Sequence, residues 1–387
     1  MGQFNTIRPY HDDEVPAVIE RLSKDNEFIN TVLKFRFPHL SSSFGWLLRP
    51  FIARKLKNYL SKIHSVRDLQ LKIADYVEHS ISSSIERFTY SGGENVDTQC
   101  KYLFMANHRD IVMDPTLTNY ALHLIGMGTP RIAIGDNLLQ KQYVADLMRL
   151  NKSFVVQRSV TGRKEKLAAY QQLSAYINHS ILHDHESIWI AQAEGRAKDG
   201  NDETDSALLK MLHISRKEEN FVEVIASLNL LPISISYEYD PCDLMKAREL
   251  YIKATEGKYT KAVGEDDRSI ALGITGYKGD VHVHFGKRIN NGFEDAKELA
   301  DLIDQQILGN YHLFPVHYLA YAMWDKADQT INIPAIESLF PVEKIEKAKH
   351  EWQKRLDACP EEHKPYLIMQ YAYPVYNKYR LNNGKLA

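Results

Sequence analysis

The chain has 387 residues, of which 44% are apolar and 25% are charged, a composition that suits a globular protein with a sizeable core. A formal net charge of −2 gives no basis for nucleic-acid binding, and three scattered cysteines speak against a disulfide framework or a zinc ribbon. The N-terminus lacks the pattern of a secretory signal, and no apolar run is long enough for a transmembrane helix. These features predict a cytoplasmic protein without a nucleic-acid partner.

Residues 14–90 have apolar side chains at helical spacing. Pro38 and Pro50 should interrupt the helices, because proline breaks the backbone hydrogen-bond ladder. The predicted helices are Glu14–Leu33, Phe51–Ile63 and Val66–Arg87, followed by a turn at 91–97. The sequence therefore predicts an N-terminal helical region.

One segment, residues 28–67, is strongly basic although the whole chain is nearly neutral. It carries a charge of +8 and no acidic residue, so the remaining residues carry −10. Its cations are Lys34, Arg36, Arg49, Arg54, Lys55, Lys57, Lys62 and Arg67. Large apolar side chains stand between them, including Phe44, Trp46 and Phe51, and this combination favours the surface of an anionic membrane. The alternative is a helix that packs its apolar face on the domain and leaves its basic face in water.

Beyond residue 97, short β-like runs alternate with helical stretches, a pattern typical of α/β folds. The predicted strands are 102–107, 131–135, 153–157, 187–192, 231–238 and 280–286. We predict a mixed, largely parallel central sheet flanked by helices, with functional residues just beyond the strand ends. Residues 255–269 should form an exposed loop, and the chain from about 293 should be helical.

This pattern divides the chain into three parts. Residues 1–90 form the helical region with the basic membrane-docking segment, and residues 91–310 form the α/β domain. Residues 311–387 form a helical C-terminal extension that packs on the core. The change from helical to β-like spacing near residue 90 marks the first boundary.

His108 follows the strand predicted at 102–107 and stands near two aspartates, Asp110 and Asp114. A histidine with a carboxylate partner is the usual general base for a hydroxyl at neutral pH. The carboxylate orients the imidazole and stabilises the imidazolium that forms. Loop histidines are common, so this pair alone does not define a function.

Three later segments are also candidates, and two of them place polar residues at other predicted strand ends. Arg158 follows the strand at 153–157 and offers a guanidinium that can grip a phosphate. Glu194-Gly195-Arg196 follows the strand at 187–192, where a glycine turn can present N–H groups and a cation to an anion. Pro232 shapes the start of the strand at 231–238. Taken singly, each segment is equally well explained as a surface turn, a salt bridge or a buried strand.

In order and spacing, these segments resemble the four motifs of the glycerolipid acyltransferases, which are the glycerol-3-phosphate and lysophosphatidate acyltransferases. The matching residues are Asn107-His108-Arg109 with Asp114-Pro115, Phe154 with Arg158, Glu194-Gly195-Arg196, and the strand that contains Pro232. The resemblance runs from about residue 100 to 305. The chain has no Gly-x-Ser-x-Gly sequence, which fits transfer without an acyl-enzyme and speaks against an α/β-hydrolase.

The resemblance implies a reaction in phospholipid synthesis. His108 would deprotonate a hydroxyl of a glycerol phosphate or lysophospholipid acceptor, and that oxygen would attack an acyl thioester of CoA or acyl carrier protein directly. Asp114 would orient His108. The implied substrate-binding residues are Asn107, Arg109, Arg158, Glu194, Gly195, Arg196 and Pro232, with Arg158 and the glycine turn on the acceptor phosphate. The protein would associate peripherally with the inner face of the membrane.

The sequence departs from the family at two places. The family has four residues between the histidine and the aspartate, whereas five separate His108 from Asp114, and Asp110 is too close to fit. Ala193 stands where the family usually has proline. A non-catalytic membrane-binding relative therefore stays an alternative, as does acyl transfer to another hydroxylated lipid. No metal or other cofactor is expected: His179 and His183 have a metal-ligand spacing but no obvious third ligand.

Overall fold

The computed structural model describes residues 2–37, 41–328 and 330–383. Its strands are β1 Arg87–Ser91, β2 Leu103–Ala106, β3 Arg131–Gly135, β4 Ser153–Val156, β5 Ile188–Ala191, β6 Leu230–Tyr237 and β7 Asp280–Phe285. Its α-helices are α1 Val15–Lys24, α2 Asn26–Arg36, α3 Ser41–Leu60, α4 Val66–Ser84, α5 Met113–Ile125, α6 Gln142–Leu150, α7 Arg163–Leu182, α8 Ser206–His213, α9 Phe221–Ser227, α10 Asp243–Glu256, α11 Glu265–Thr275, α12 Ala296–Gly309, α13 Pro315–Met323, α14 Ile336–Leu339, α15 Val342–Ala358 and α16 Lys364–Asn383.

The strands form a seven-stranded, mixed and largely parallel sheet with helices around it, which confirms the predicted α/β class. Strand β2 pairs in parallel with both β5 and β6, and β1 pairs in parallel with β7. The antiparallel pairing of β6 with β7 makes the sheet mixed. All six predicted strands are present, each with ends within one residue of the expected position. Strands β2 and β6 are buried at every position, as expected for strands covered on both faces.

The chain divides into two compact units. The first comprises the residues up to Glu78 together with Arg131–Tyr176, and the second comprises His79–Pro130 and the residues from Ile177 onward. In the first unit an apolar core joins α1 to α6 and includes Val15, Val18, Leu22, Tyr143 and Leu150. Strands β3 and β4 pair in parallel within this unit.

In the second unit, α13, α15 and α16 enclose an apolar core that includes Phe314, Val316, Trp352, Leu367 and Ala372. Polar links connect α16 to α10. The Tyr371 hydroxyl donates to Asp243 Oδ2 at 2.7 Å, and Gln370 Nε2 donates to the Asp243 carbonyl at 3.1 Å. The C-terminal part is therefore helical, as predicted.

Several expected bounds in the helical regions are wrong. The helix expected at Glu14–Leu33 is two helices, because Asp25 ends α1 and its Oδ1 caps α2 by accepting from Phe28 N at 2.8 Å. Helix α3 continues through Pro50, which is exposed and cannot donate a backbone hydrogen bond within the helix. The expected loop at 255–269 is shorter, because α11 begins at Glu265. The break expected at Pro38 lies outside the described residues.

Strand β1 was missed, since residues 87–91 read as the end of a helix and the start of a turn. Its pairing depends on distant residues, with Arg87 opposite Asp280 and Ser91 opposite His284. Local periodicity could not reveal that partner strand. The three-part division at residues 90 and 310 stays a prediction. Among the described residues, no helix is both long enough and apolar enough to cross a bilayer.

Candidate active site

Three parallel strands of the second unit end at one edge of the sheet. Ala106 of β2 is aligned with Ala191 of β5 and with Ile233 of β6. The residues that follow β2 and β5, and the last residues of β6, therefore lie at the same edge. This is the edge at which the sequence predicts the first and third motifs.

His108 and Asp114 form a hydrogen-bonded pair at this edge. His108 Nδ1 lies 2.8 Å from Asp114 Oδ2. The His108 side chain keeps 16% of its surface exposed, whereas the Asp114 side chain is fully buried. Because a carboxylate oxygen can only accept, Nδ1–H is the donor, and in the neutral imidazole Nε2 carries the free lone pair. The ring of Trp189 on β5 packs edge to face against His108, with ring centroids 5.8 Å apart.

The loop between the two residues closes around the Asp114 carboxylate. Asp114 lies in the first turn of α5, and its Oδ2 also accepts hydrogen bonds from the backbone N–H groups of Arg109 at 2.6 Å and Asp110 at 2.9 Å. A carboxylate in the first turn of a helix is further favoured by the helix dipole. The five-residue spacer is therefore compatible with the pair, because the extra residue is taken up in a loop that the carboxylate itself holds.

Asp110 has a different set of partners. Its Oδ1 accepts from the backbone N–H groups of Val112 at 2.9 Å and Met113 at 2.8 Å, at the start of α5. Gly273 of α11 packs so closely on this carboxyl that a methyl group there would overlap it. Burial, followed by the nearby charge of Asp114, raises the pKa of Asp110. Asp110 therefore organises the start of α5, and no hydrogen bond joins it to His108 among the described residues.

Asn107 and Arg109 are buried and bonded to protein groups. The Asn107 side chain accepts from Ile235 N at 2.8 Å and donates to the Ile235 carbonyl at 3.0 Å, so it extends the pairing of β2 with β6. Arg109 forms an ion pair with buried Asp202 at 2.5 Å, and its guanidinium lies 5.1 Å from the Tyr311 ring centroid. These contacts give both residues a structural role, and their binding of substrate stays a prediction.

The predicted glycine turn lies directly beside His108. Gly195 has a φ of +81°, a conformation that favours glycine, and Ala197 N donates to the His108 carbonyl at 2.8 Å. Arg196 Nη1 donates to Ser269 Oγ of α11 at 2.6 Å, which fixes the guanidinium. The ammonium of Lys198 lies 3.3 Å from Glu249 Oε1 and 3.3 Å from the Arg196 carbonyl. The turn therefore carries two cationic side chains, Arg196 and Lys198.

Of the other predicted site residues, Glu194 belongs to this turn, whereas Pro232 and Arg158 lie elsewhere. Glu194 is exposed at the start of the same turn. Pro232 is buried in β6 opposite Met105, deeper in the sheet than His108, and its carbonyl accepts from Gly286 N at 2.8 Å. Arg158 belongs to the first unit, where its backbone N–H donates to Asp136 Oδ1 at 3.1 Å.

Sequence reasoning missed the contact made by Tyr237. The Tyr237 hydroxyl donates to Asp114 Oδ1 at 2.6 Å. Burial, followed by the Asp114 charge, raises the pKa of Tyr237 well above its ordinary value. The signal that could have found it is its position as the last residue of a buried strand parallel to β2. Among the described residues, no group of three or more His, Cys, Asp or Glu side chains could hold a metal ion.

Residues 87–231 match the family model described as Acyltransferase, a segment that contains His108, Asp114, Arg158 and the 194–196 turn. Among curated proteins, none matches the sequence. Among solved structures, the 1-acyl-sn-glycerophosphate (LPA) acyltransferase PlsC from Thermotoga maritima is similar, with 14% identity over 72% of this chain and 93% of that chain. Its TM-score of 0.37 is too low to infer more from this likeness. Residues 87–231 of the chain are therefore similar to the acyltransferase family, and this segment contains the first three of the four motifs.

Proposed function

We propose that this protein transfers a fatty acyl group from an acyl thioester to a hydroxyl of glycerol-3-phosphate or lysophosphatidate. The observation that carries the proposal is the His108–Asp114 pair. Asp114 occupies Nδ1 of the imidazole, and Nε2 has no hydrogen-bond partner in the part of the chain that the structure describes. Nε2 is therefore available to take the proton of a bound hydroxyl.

In the proposed reaction, the acceptor hydroxyl gives its proton to His108 Nε2 while its oxygen attacks the thioester carbonyl carbon. The tetrahedral intermediate collapses as the C–S bond breaks, and the leaving thiolate takes the proton back from the imidazolium. Asp114 holds the imidazole in one orientation and stabilises its charged form. The new ester bond replaces the thioester bond, so no acyl-enzyme and no additional cofactor take part.

In the proposed site, the turn that follows β5 binds the acceptor phosphate. Arg196 is fixed by Ser269, and Ala197 connects the same turn to the His108 carbonyl. Lys198 adds a second cation in this turn, and a planar guanidinium can bind two phosphate oxygens at once. These contacts favour a phosphate-bearing acceptor over another hydroxylated lipid. For the thioester, both acyl-CoA and acyl carrier protein fit the proposal.

The test is to incubate the purified protein with an acyl thioester and each acceptor in the presence of liposomes, and to follow the products by mass spectrometry. We expect acylation of at least one phosphate-bearing acceptor, and a loss of about 10²–10⁴-fold for His108→Ala. His123→Ala, which changes an exposed histidine near the end of α5, should leave the rate unchanged. If the wild-type protein acylates no acceptor, the enzyme proposal fails.

A membrane-docking role for residues 28–67 belongs to the same proposal. On α3, Trp46, Leu47 and Phe51 are 76%, 60% and 62% exposed, and exposed Arg54 follows them closely. Leu47 and Phe51 are four residues apart and lie on one face of the helix, and adjoining exposed apolar side chains are typical of an interaction surface. Insertion into an anionic leaflet would bury them and bring the cations to the lipid phosphates. This surface also favours the second candidate function, a membrane-binding relative without turnover.

We also propose the inner face of the membrane as the site of action, with residues 1–90 supplying the membrane contact. Residues 91–310 would catalyse the reaction, and residues 311–387 would pack against the domain that contains the site. Contacts within the second unit are in keeping with that support: Tyr311 packs on Arg109, and Asn377 Nδ2 donates to Asn201 Oδ1 at 3.1 Å.

A further inference from the structure

We infer that Tyr237 is a positioning residue of the acyl-transfer reaction, acting through Asp114 on His108. The inference rests on the proposed function of the His108–Asp114 pair. The Tyr237 hydroxyl is hydrogen-bonded to Asp114 and not to His108. This hydroxyl fixes the carboxylate that in turn fixes the imidazole.

The two oxygens of the Asp114 carboxylate have separate partners. Oδ2 accepts from His108 Nδ1 and from two backbone N–H groups of the 109–113 loop. Oδ1 accepts from the Tyr237 hydroxyl at 2.6 Å, its only side-chain partner among the described residues. A carboxylate held by both oxygens cannot rotate about its terminal torsion without losing hydrogen bonds. If Oδ1 lost its hydrogen bond to Tyr237, only the N–H groups of the loop and the His108 side chain would set the orientation of the Asp114 carboxylate.

The hydroxyl of Tyr237 is well suited to this contact. Tyr237 is 3% exposed, and burial keeps it a neutral phenol because its pKa lies well above the ordinary value. A neutral phenol beside a carboxylate donates a hydrogen bond to it, and hydrogen bonds to a charged acceptor are the stronger class. The residue ends β6, where it lies opposite Val281 of β7. The donor therefore stands on the sheet, independent of the loop that carries His108.

This arrangement explains how the longer spacer between His108 and Asp114 is accommodated. An added loop residue gives residues 109–113 more freedom, and their N–H groups alone would hold the carboxylate less firmly. Tyr237 lies 123 residues from Asp114 along the chain, and its hydroxyl holds the second carboxylate oxygen. The orientation of the pair is thereby set by the sheet as well as by the loop.

The test compares Tyr237→Phe with Tyr239→Phe, which removes a hydroxyl from another buried tyrosine that does not contact Asp114. We expect Tyr237→Phe to lower kcat by about tenfold to a hundredfold, the effect of one hydrogen bond to a charged group, with little change in the KM of the acceptor. The acidic limb of kcat/KM against pH should move to higher pH, because Asp114 without this donor offers more negative charge to the imidazolium. Tyr239→Phe should change neither quantity.

A double-mutant cycle separates positioning from general stabilisation. In an Asp114→Asn background, Tyr237→Phe should cost less than twofold, because the carboxylate through which it acts is already gone. Equal losses in both backgrounds, or an unchanged pH profile with a lowered thermal midpoint, would reduce Tyr237 to a structural residue and overturn the inference. Unchanged kcat in Tyr237→Phe while His108→Ala is inactive would overturn this inference alone. Full activity of His108→Ala would instead overturn the proposed function.

Discussion

His108 Nδ1 is hydrogen-bonded to Asp114 Oδ2 at 2.8 Å across a five-residue loop, whereas Asp110, only two residues from His108, bonds to the backbone at the start of α5. Distance along the chain therefore does not select the partner. Asp114 is selected because the first turn of α5 directs its carboxylate back into the loop, where two N–H groups and the imidazole converge on one oxygen. Asp110, which is nearer along the chain, instead stabilises the start of α5.

Asp114→Asn should cost roughly 10²–10⁴-fold in kcat, because an amide can neither stabilise the imidazolium nor fix its tautomer in the same way. Asp110→Asn should cost much less, since the amide oxygen can still accept from Val112 and Met113. The comparison uses kcat of both variants with the acceptor that the wild-type protein prefers. A larger loss for Asp110→Asn would mean that the wrong carboxylate has been assigned to His108.

Arg196→Ala should raise the KM of a phosphate-bearing acceptor by about tenfold to a hundredfold, the loss of a charge-assisted contact to phosphate. Ser269→Ala should raise it less, because the cation remains and only its anchor at 2.6 Å is lost. The control is Arg268→Ala, which removes an exposed cation from α11, the helix that contains Ser269. Equal KM values for wild type and Arg196→Ala would remove Arg196 from the acceptor site.

Replacing Arg54, Lys55 and Lys57 of α3 by glutamate should weaken binding to anionic liposomes, because each cation near such a surface contributes about 1 kcal/mol. Trp46→Ala and Phe51→Ala should weaken binding further by removing exposed apolar side chains. Flotation at physiological salt measures the effect, and glutamate at exposed Lys217, Lys349 and Lys354 provides the matched control. Flotation unaltered by the α3 changes would argue against docking through this helix.

Asp304 should make stability depend on pH. Burial raises its pKa from 3.8 to about 7, although Thr204 N and the Thr204 hydroxyl donate to its Oδ1. The folded state then binds a proton that the unfolded state has released, so this contribution to stability is present below about pH 4 and is lost as the pH rises through 7. Asp304→Asn keeps the acceptor oxygen without the charge.

The measurement for Asp304 is the fall in thermal midpoint between pH 5 and pH 8. We expect a smaller fall for Asp304→Asn than for the wild-type protein, and a wild-type fall for Glu218→Gln, which changes an exposed carboxylate that does not act on Asp304. The same pH dependence in Asp304→Asn would show that Asp304 does not titrate in this window.

The sequence alone determined much of the sheet and the order of its motifs. Alternation and apolar runs are local properties, so β2 to β7 could be predicted close to their ends, and the rule that parallel strands place functional loops at one edge located His108 and the 194–196 turn. Strand β1 escaped, because its five residues become a strand only by pairing with β7.

The partners of the motif residues were decided by tertiary structure alone. Asn107 and Arg109 carry polar groups that sequence assigns to substrate, yet the fold pairs them with Ile235 and Asp202. Tyr237 meets Asp114 only because β6 lies next to β2. A buried polar group must find its hydrogen-bond partner wherever the packed chain provides one, and that partner is usually far away in sequence. Periodicity therefore predicts which residues are buried, whereas the completed packing decides what each one bonds to.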